Sequence, residues 1–236
     1  MKAPARNVVR VPDGMGLDEA ATVEPAGIIL HGIHKIRISA GDTVAVVGVG
    51  ALGYFAVRFA KLAGGNPVIA VDVDEAKLAL AREAGADLCI NAATQDAPAA
   101  LRDVTRGRGA DVVLETAGND AGRALALGAV RKQGTVLLYG SAHHDVVFKP
   151  ALFEKILRHE VVIVGSWNSY SVPFPGREWT DILKFAAAGQ LTSRPLISHV
   201  LPLAEAPGVF RRLADRSFGA DSKILFAPNG REALGH

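Results

Sequence analysis

Thr43-Val-Ala-Val-Val-Gly-Val-Gly-Ala-Leu-Gly53, followed by Pro67-Val-Ile-Ala-Val-Asp72, decides how this chain is read. An apolar, β-branched run enters a turn at Gly48-Val-Gly50-Ala-Leu-Gly53. Leu52, Phe55, Ala56, Phe59 and Leu62 then keep one helical face apolar. Gly64-Gly65-Asn66 supplies a left-handed helix stop, and a second apolar run closes at Asp72, 19 positions past Gly53. Strand, glycine turn, helix, strand and acid in this order form a dinucleotide-binding pattern, and each part has a physical reason. Gly48 permits the tight turn, Gly50 lets backbone approach a pyrophosphate, and Gly53 lets the helix pack close to the strand. The helix N-terminus offers unpaired N–H groups to the phosphates. Asp72 can accept hydrogen bonds from both ribose hydroxyls.

The same alternation continues downstream. Asp74 is a predicted N-cap for a helix carrying Lys77, Leu78 and Ala81 and stopping at Gly85. Further strands are predicted over 88–90, 111–115, 135–139 and 161–164. Pro98 opens the helix between the third and fourth strands. A helix capped by Asn119 or Asp120 is predicted to run to about Lys132 and to end at Gly134. A helix over 152–158 precedes the sixth strand. Six apolar β-branched runs alternating with helices predict an α/β fold: a doubly wound parallel sheet with both faces covered. Ligands of such sheets sit beyond the carboxyl ends of the strands. Ala117-Gly118, Gly140-Ser141 and Ser166-Trp167 all fall at such ends and outline one crevice with Gly48–Gly53 and Asp72.

The flanks read differently. Over residues 1–23, Val8-Val9 is a candidate short strand and 18–23 one helical turn, the remnant of a larger preceding domain. A helix starts at Glu24-Pro25, with Pro25 in its first turn. His31 and His34 read as its flank rather than as a metal pair. After a Pro- and aromatic-containing loop, helices are predicted over 177–188 and 203–215, strands over 196–201 and 223–226, and a loose tail over 229–236. The expected organisation is a remnant at 1–26, a nucleotide-binding sheet domain at 27–168 and a C-terminal return segment at 169–236.

The 236 residues are 49 % hydrophobic and 21 % charged with a net charge of +2, enough for a sizeable core and no argument for nucleic acid or an anionic membrane. The single cysteine, Cys89, permits no internal disulfide or multi-cysteine metal cluster and reads as an inert buried thiol. No apolar run approaches the ~18 residues of a membrane helix, and the N-terminus has no apolar signal region, so a cytoplasmic protein is expected.

The stretches Val23-Glu-Pro25, Val47–Gly53, Val71–Lys77, Gly109–Gly118 and Gly134–Gly140 resemble the medium-chain dehydrogenase/reductase superfamily, in its zinc-type alcohol and polyol dehydrogenase branch. The resemblance runs to about residue 227 and implies an NAD-binding sheet domain. It implies that Asp72 holds the adenosine ribose with Lys77 beside it, and that the backbone around Gly50, Ala51 and Leu52 meets the pyrophosphate, with Gly48 and Gly53 also among the cofactor-binding residues. It places Gly140, Ser166 and Trp167 around the nicotinamide, with Ala117 also among the cofactor-binding residues. Asp72 without a following Arg favours NAD over NADP. Such enzymes also carry a catalytic zinc, of whose ligands only Glu24 has a counterpart here, and no catalytic residue is assigned. The implied activity is hydride transfer from a secondary alcohol of a polyol or polyol phosphate, by a homo-oligomer with no nucleic-acid or membrane partner. The alternatives are a non-catalytic NAD(H)-binding module or partner-dependent subunit and, more weakly, a zinc-independent reductase.

Overall fold

The computed structural model describes residues 2–168, 171–215 and 223–230. In chain order the helices are α1 (Leu17–Ala20), α2 (Val23–Ile33), α3 (Ala51–Leu62), α4 (Glu75–Glu83), α5 (Ala97–Val104), α6 (Asp120–Ala129), α7 (Pro150–Arg158), α8 (Arg177–Ala187) and α9 (Ala206–Ala214). The strands are β1 (Val44–Val47), β2 (Val68–Asp72), β3 (Leu88–Asn91), β4 (Ala110–Glu115), β5 (Val130–Leu138), β6 (Val162–Gly165), β7 (Ile197–Pro202) and β8 (Lys223–Ala227). The chain divides into two compact units, residues 28–169 and residues 1–27 with 170–236.

The first of these is a six-stranded sheet in the order β3-β2-β1-β4-β5-β6, with every neighbouring pair parallel. It is the doubly wound α/β architecture that the alternating runs predict. β1 and β4 are buried along their whole length, because helices cover both faces. Each fully buried Val or Leu here contributes about 1.5–3 kcal/mol relative to an exposed one. Tyr54, Phe55 and Phe59 bury the apolar stripe of α3. Asp74 caps α4 by accepting from Ala76 N, and Asn119 caps α6 by accepting from Gly122 N at 2.8 Å.

Three local expectations change. The helix α6 ends at Ala129, and Val130 already pairs with Ala110 as the start of β5. The sheet ladder outweighs the helix propensity of Arg131-Lys132. Gln133 takes φ 55°, and Gly134 is required inside the strand because a Cβ there would sit 2.6 Å from Val130 Cγ2. Val8-Val9 makes no strand: a single 3-10 turn, Ala5–Asn7, precedes an exposed, extended Val8. Cys89 is half-buried rather than buried, because β3 is an edge strand with one flank open; burial still pushes its thiol pKa up.

In the other unit, β7 and β8 form a parallel pair. Leu203–Glu205 is a 3-10 turn leading into α9, so the helix predicted over 203–215 forms in two pieces. Glu19 anchors the N-terminal segment by accepting from Thr192 Oγ1 at 2.7 Å and Arg194 Nε at 3.1 Å. Thr22 Oγ1 donates to the buried Ser193 Oγ at 2.8 Å. Of the tail predicted over 229–236, residues 231–236 lie outside the described residues.

Candidate functional site

Register brings the strand ends of the sheet unit into one row. Val47 lies opposite Val71 and Glu115, Glu115 opposite Leu138, and Leu138 opposite Gly165. The residues that follow, Gly48, Asp72, Thr116, Tyr139 and Ser166, therefore emerge along one edge. A cleft of about 370 Å³ opens there, lined by Gly48, Gly50, Asp72, Lys77, Ala117 and Asn119 among others.

The three glycines of the turn have separate reasons. Gly48 has φ 84°, and a Cβ on it would come within 2.7 Å of Ala117. A Cβ on Gly53 would collide with the Gly48 carbonyl oxygen. Gly50 is different: its φ is an ordinary −68°, and a Cβ would meet nothing within 4 Å. No packing within the described chain demands glycine at position 50. The open space before it, at the N-terminus of α3, suits an anionic group held by backbone amides.

Asp72 is already engaged. Its Oδ2 accepts from Val49 N at 2.7 Å, and its Oδ1 accepts from Val73 N at 2.8 Å and Asp74 N at 3.1 Å. Three amides thus aim the carboxylate, and Oδ2 keeps a further lone pair for a hydroxyl donor. Lys77 is half-buried on the same cleft and makes no ion pair among the described residues. Thr116 braces the turn from behind by donating to the Gly48 carbonyl oxygen.

Of the predicted site residues, Gly48, Gly50, Asp72, Lys77 and Ala117 share this cleft. Ala51 and Leu52 form the first turn of α3, and Gly53 is buried behind them. Gly140, Ser166 and Trp167 stand outside the cleft lining, on the β5 and β6 ends. Ser166 is buried, with its hydroxyl unpartnered, and Trp167 is 67 % exposed. Glu24 is exposed in the first turn of α2.

Two residues that motif reading passed over are the buried pair at the β4 end. Glu115 is fully buried; its Oε1 accepts from Gly118 N at 2.8 Å, while Oε2 makes no hydrogen bond among the described residues. Burial pushes its pKa up, against the Gly118 amide, the Arg123 charge and the nearby amides of Ala117 and Gly140. Arg123 is also buried, and its Nη2 donates to the carbonyls of Gly118 at 3.1 Å and Ser141 at 2.7 Å. A charged residue closing an otherwise apolar strand, Val112-Val-Leu-Glu115, is the signal that marks the position.

The zinc-binding dehydrogenase family profile matches residues 51–188, more than half of the chain. The chain belongs to this family, within the medium-chain dehydrogenases. It is 33 % identical over 194 residues to galactitol 1-phosphate 5-dehydrogenase of Escherichia coli K12, covering 82 % of this chain and 56 % of that protein. It is 30 % identical over 205 residues to sorbitol dehydrogenase of Bacillus subtilis, covering 87 % of this chain and 56 % of that one. The crystal structure of galactitol-1-phosphate dehydrogenase from Escherichia coli superposes with a TM-score of 0.88 at 30 % identity, covering 96 % of this chain and 65 % of that one. A zinc-binding dehydrogenase from Sinorhizobium meliloti, bound to NADP, superposes with a TM-score of 0.80 at 28 % identity, over 93 % of this chain and 62 % of its own. The chain thus spans just over half the length of these curated relatives.

The family's nucleotide cofactor fits the residues present: Gly50 leaves open space at a helix N-terminus, and Asp72 presents a carboxylate on the same cleft. Zinc does not fit in the same way. Among the described residues no three His, Cys, Asp or Glu side chains come together as a metal site, and a catalytic zinc takes three protein ligands. Glu24 accordingly gathers no ligand set around it within the described residues.

Proposed function

We propose that this chain is the coenzyme-binding part of an NAD-dependent, zinc-type alcohol or polyol dehydrogenase. The supporting observation is Asp72, held by three amides at the mouth of a cleft whose glycine turn leaves Gly50 open. In this reading Asp72 accepts the adenosine ribose hydroxyls, and the α3 N-terminus faces the pyrophosphate. The ends of β4, β5 and β6 then flank the nicotinamide half, through Ala117, Gly140, Ser166 and Trp167. Bound there, the nicotinamide supplies the hydride acceptor for oxidation of a secondary alcohol. The chain's own groups bind and orient; no step is assigned to zinc, because the described residues do not assemble its ligands.

Coenzyme choice turns on two opposed charges. Asp72 repels a 2′-phosphate and Lys77 attracts one, and both line the cleft. At about 4 Å and an effective dielectric near 20, either unit-charge interaction amounts to roughly 4 kcal/mol. Asp72 is held in place, whereas Lys77 is a flexible side chain, with no ion-pair partner among the described residues, that loses rotamer freedom on engagement. The balance therefore favours NAD. The substrate class follows the relatives named for galactitol 1-phosphate and sorbitol: a polyol or its phosphate.

A second reading is an NAD(H)-binding module or partner-dependent subunit without chemistry of its own. It draws on Glu24 standing without two further ligands among the described residues. Calorimetric titration with NAD⁺, NADH and NADPH tests what both share. Absence of heat with millimolar NADH overturns the coenzyme assignment. Steady-state reduction of NAD⁺ by galactitol 1-phosphate or sorbitol, measured with the chain joined to a family domain that supplies the zinc ligands, separates the two: turnover supports the dehydrogenase, and binding without turnover supports the module.

A further inference from the structure

Glu115 and Arg123 meet between the turn after β4 and the turn after β5. The carboxyl of Glu115 takes the Gly118 amide at 2.8 Å and faces the amides of Ala117 and Gly140. The guanidinium of Arg123 takes carbonyl oxygens of the same two turns. Its Nη2 donates to the carbonyl oxygens of Gly118 at 3.1 Å, Gly140 at 3.4 Å and Ser141 at 2.7 Å. Both side chains are buried, at 0 % and 4 % exposure. Asp120, on the same helix, accepts from Arg123 Nη1 at 3.1 Å and steers it inward. The two turns are also in close contact. A Cβ on Gly140 would collide with the Gly118 backbone and lie 2.8 Å from Glu115 Oε2; a Cβ on Gly122 would lie 3.0 Å from Glu115 Oε1. Glycine at 122 and 140 leaves room for the carboxyl.

A buried acid and a buried base that divide the amides and carbonyls of two adjacent turns between them make a clamp. The core needs no such pair, since an apolar residue at position 115 would avoid the cost of burying a charge. What the pair does is hold the β4 and β5 turns at one separation. Those turns carry Ala117 and Gly140, on the side of the β1/β4 switch away from Asp72. In a doubly wound sheet that side takes the second nucleotide half.

We infer that Glu115 and Arg123 are positioning residues: acting through the Gly118 and Gly140 turns, they set the width of the half-site for the nicotinamide and its ribose. The inference rests on the coenzyme reading above. Glu115→Gln keeps the shape but turns an NH₂ group toward one of the amides that the carboxyl now faces. Arg123→Lys keeps the charge but cannot span three carbonyls.

Calorimetry with two probes tests this: NADH, and ADP, which carries the adenosine and pyrophosphate alone. Each variant should bind NADH about tenfold more weakly than the wild type, and ADP within about twofold of it. Circular dichroism checks that the variants fold, and if one of them does not, the other carries the test. Equal weakening toward both probes, or none toward either, overturns the clamp, because a purely structural role does not distinguish the two halves. A wild-type chain that binds neither probe instead overturns the coenzyme reading, and this inference falls with it.

Discussion

Gly50 and Gly53 sit three positions apart and make opposite predictions. A methyl group on Gly53 would collide with the Gly48 carbonyl oxygen, inside a turn that Thr116 also braces. Gly53→Ala should therefore cost about 1–3 kcal/mol of stability through overpacking, measured by urea unfolding. Gly50→Ala meets open space and should leave the unfolding midpoint within experimental error, yet weaken NADH binding by more than about tenfold, because its methyl occupies the anion's approach. If Gly50→Ala binds NADH normally, the cradle is not where the pyrophosphate lies. Asp72→Ala should weaken NADH more than NADPH; equal weakening of both would show that the carboxylate does not read the ribose. These residues are legible in sequence because spacing alone identifies them. Glu115 and Arg123 are not, since their role depends on which turns the sheet brings together, and no local pattern encodes the distance between the β4 and β5 ends.

At the scale of elements, Asp111 ties the start of β4 to its neighbours. It accepts from Thr43 N at 2.8 Å, from both Arg108 terminal nitrogens at 2.6 and 2.7 Å, and from Arg131 Nε at 2.6 Å. These donors hold its carboxyl well below the usual carboxylate range, although burial opposes them. Because the folded state favours the ionised form, this stability is complete above the ordinary Asp pKa of about 4 and is lost as pH falls below it. Arg108 is half-exposed and screened, so the pair is worth less than a fully buried one. Asp111→Asn should cost about 2 kcal/mol at pH 7, and its gap to the wild type should close as pH drops through roughly 4 toward 2. A gap independent of pH would show that the amide's shape, not the charge, is responsible. Most element positions follow from periodicity and caps: Asp74 and Asn119 both cap where their residue type predicts. The α6–β5 junction does not, because Arg131-Lys132-Gln133 suits a helix locally but spans a register irregularity between Val130, which pairs with Ala110, and Thr135, which pairs with Val112, and only the folded sheet supplies those pairings.

For the molecule as a whole, the glycine turn and the six alternating strands were enough to give the sheet, and the family profile over residues 51–188 agrees with it. The segments flanking the sheet were harder to read, because the 1–27 and 170–236 stretches form one compact unit from two ends of the chain. The bond of Thr22 to Ser193 joins residues 171 positions apart, a distance no sequence window covers. That division bears on how coenzyme and metal should behave. The groups assigned to the coenzyme all lie within residues 28–169, whereas Glu24 belongs to the other unit and has no companion ligands among the described residues. Coenzyme binding should therefore not depend on zinc. A ligand that binds only the folded state raises the unfolding free energy by about 2.7 kcal/mol when present at 100 times its dissociation constant. NADH at that excess should produce this stabilisation in the 236-residue chain both before and after dialysis against a chelator, followed by thermal unfolding. If the chelator abolishes the shift, a metal ion helps to hold the coenzyme site, and its ligands must then come from outside the residues described. A shift that survives chelation places coenzyme recognition entirely in the glycine turn, Asp72 and the strand ends.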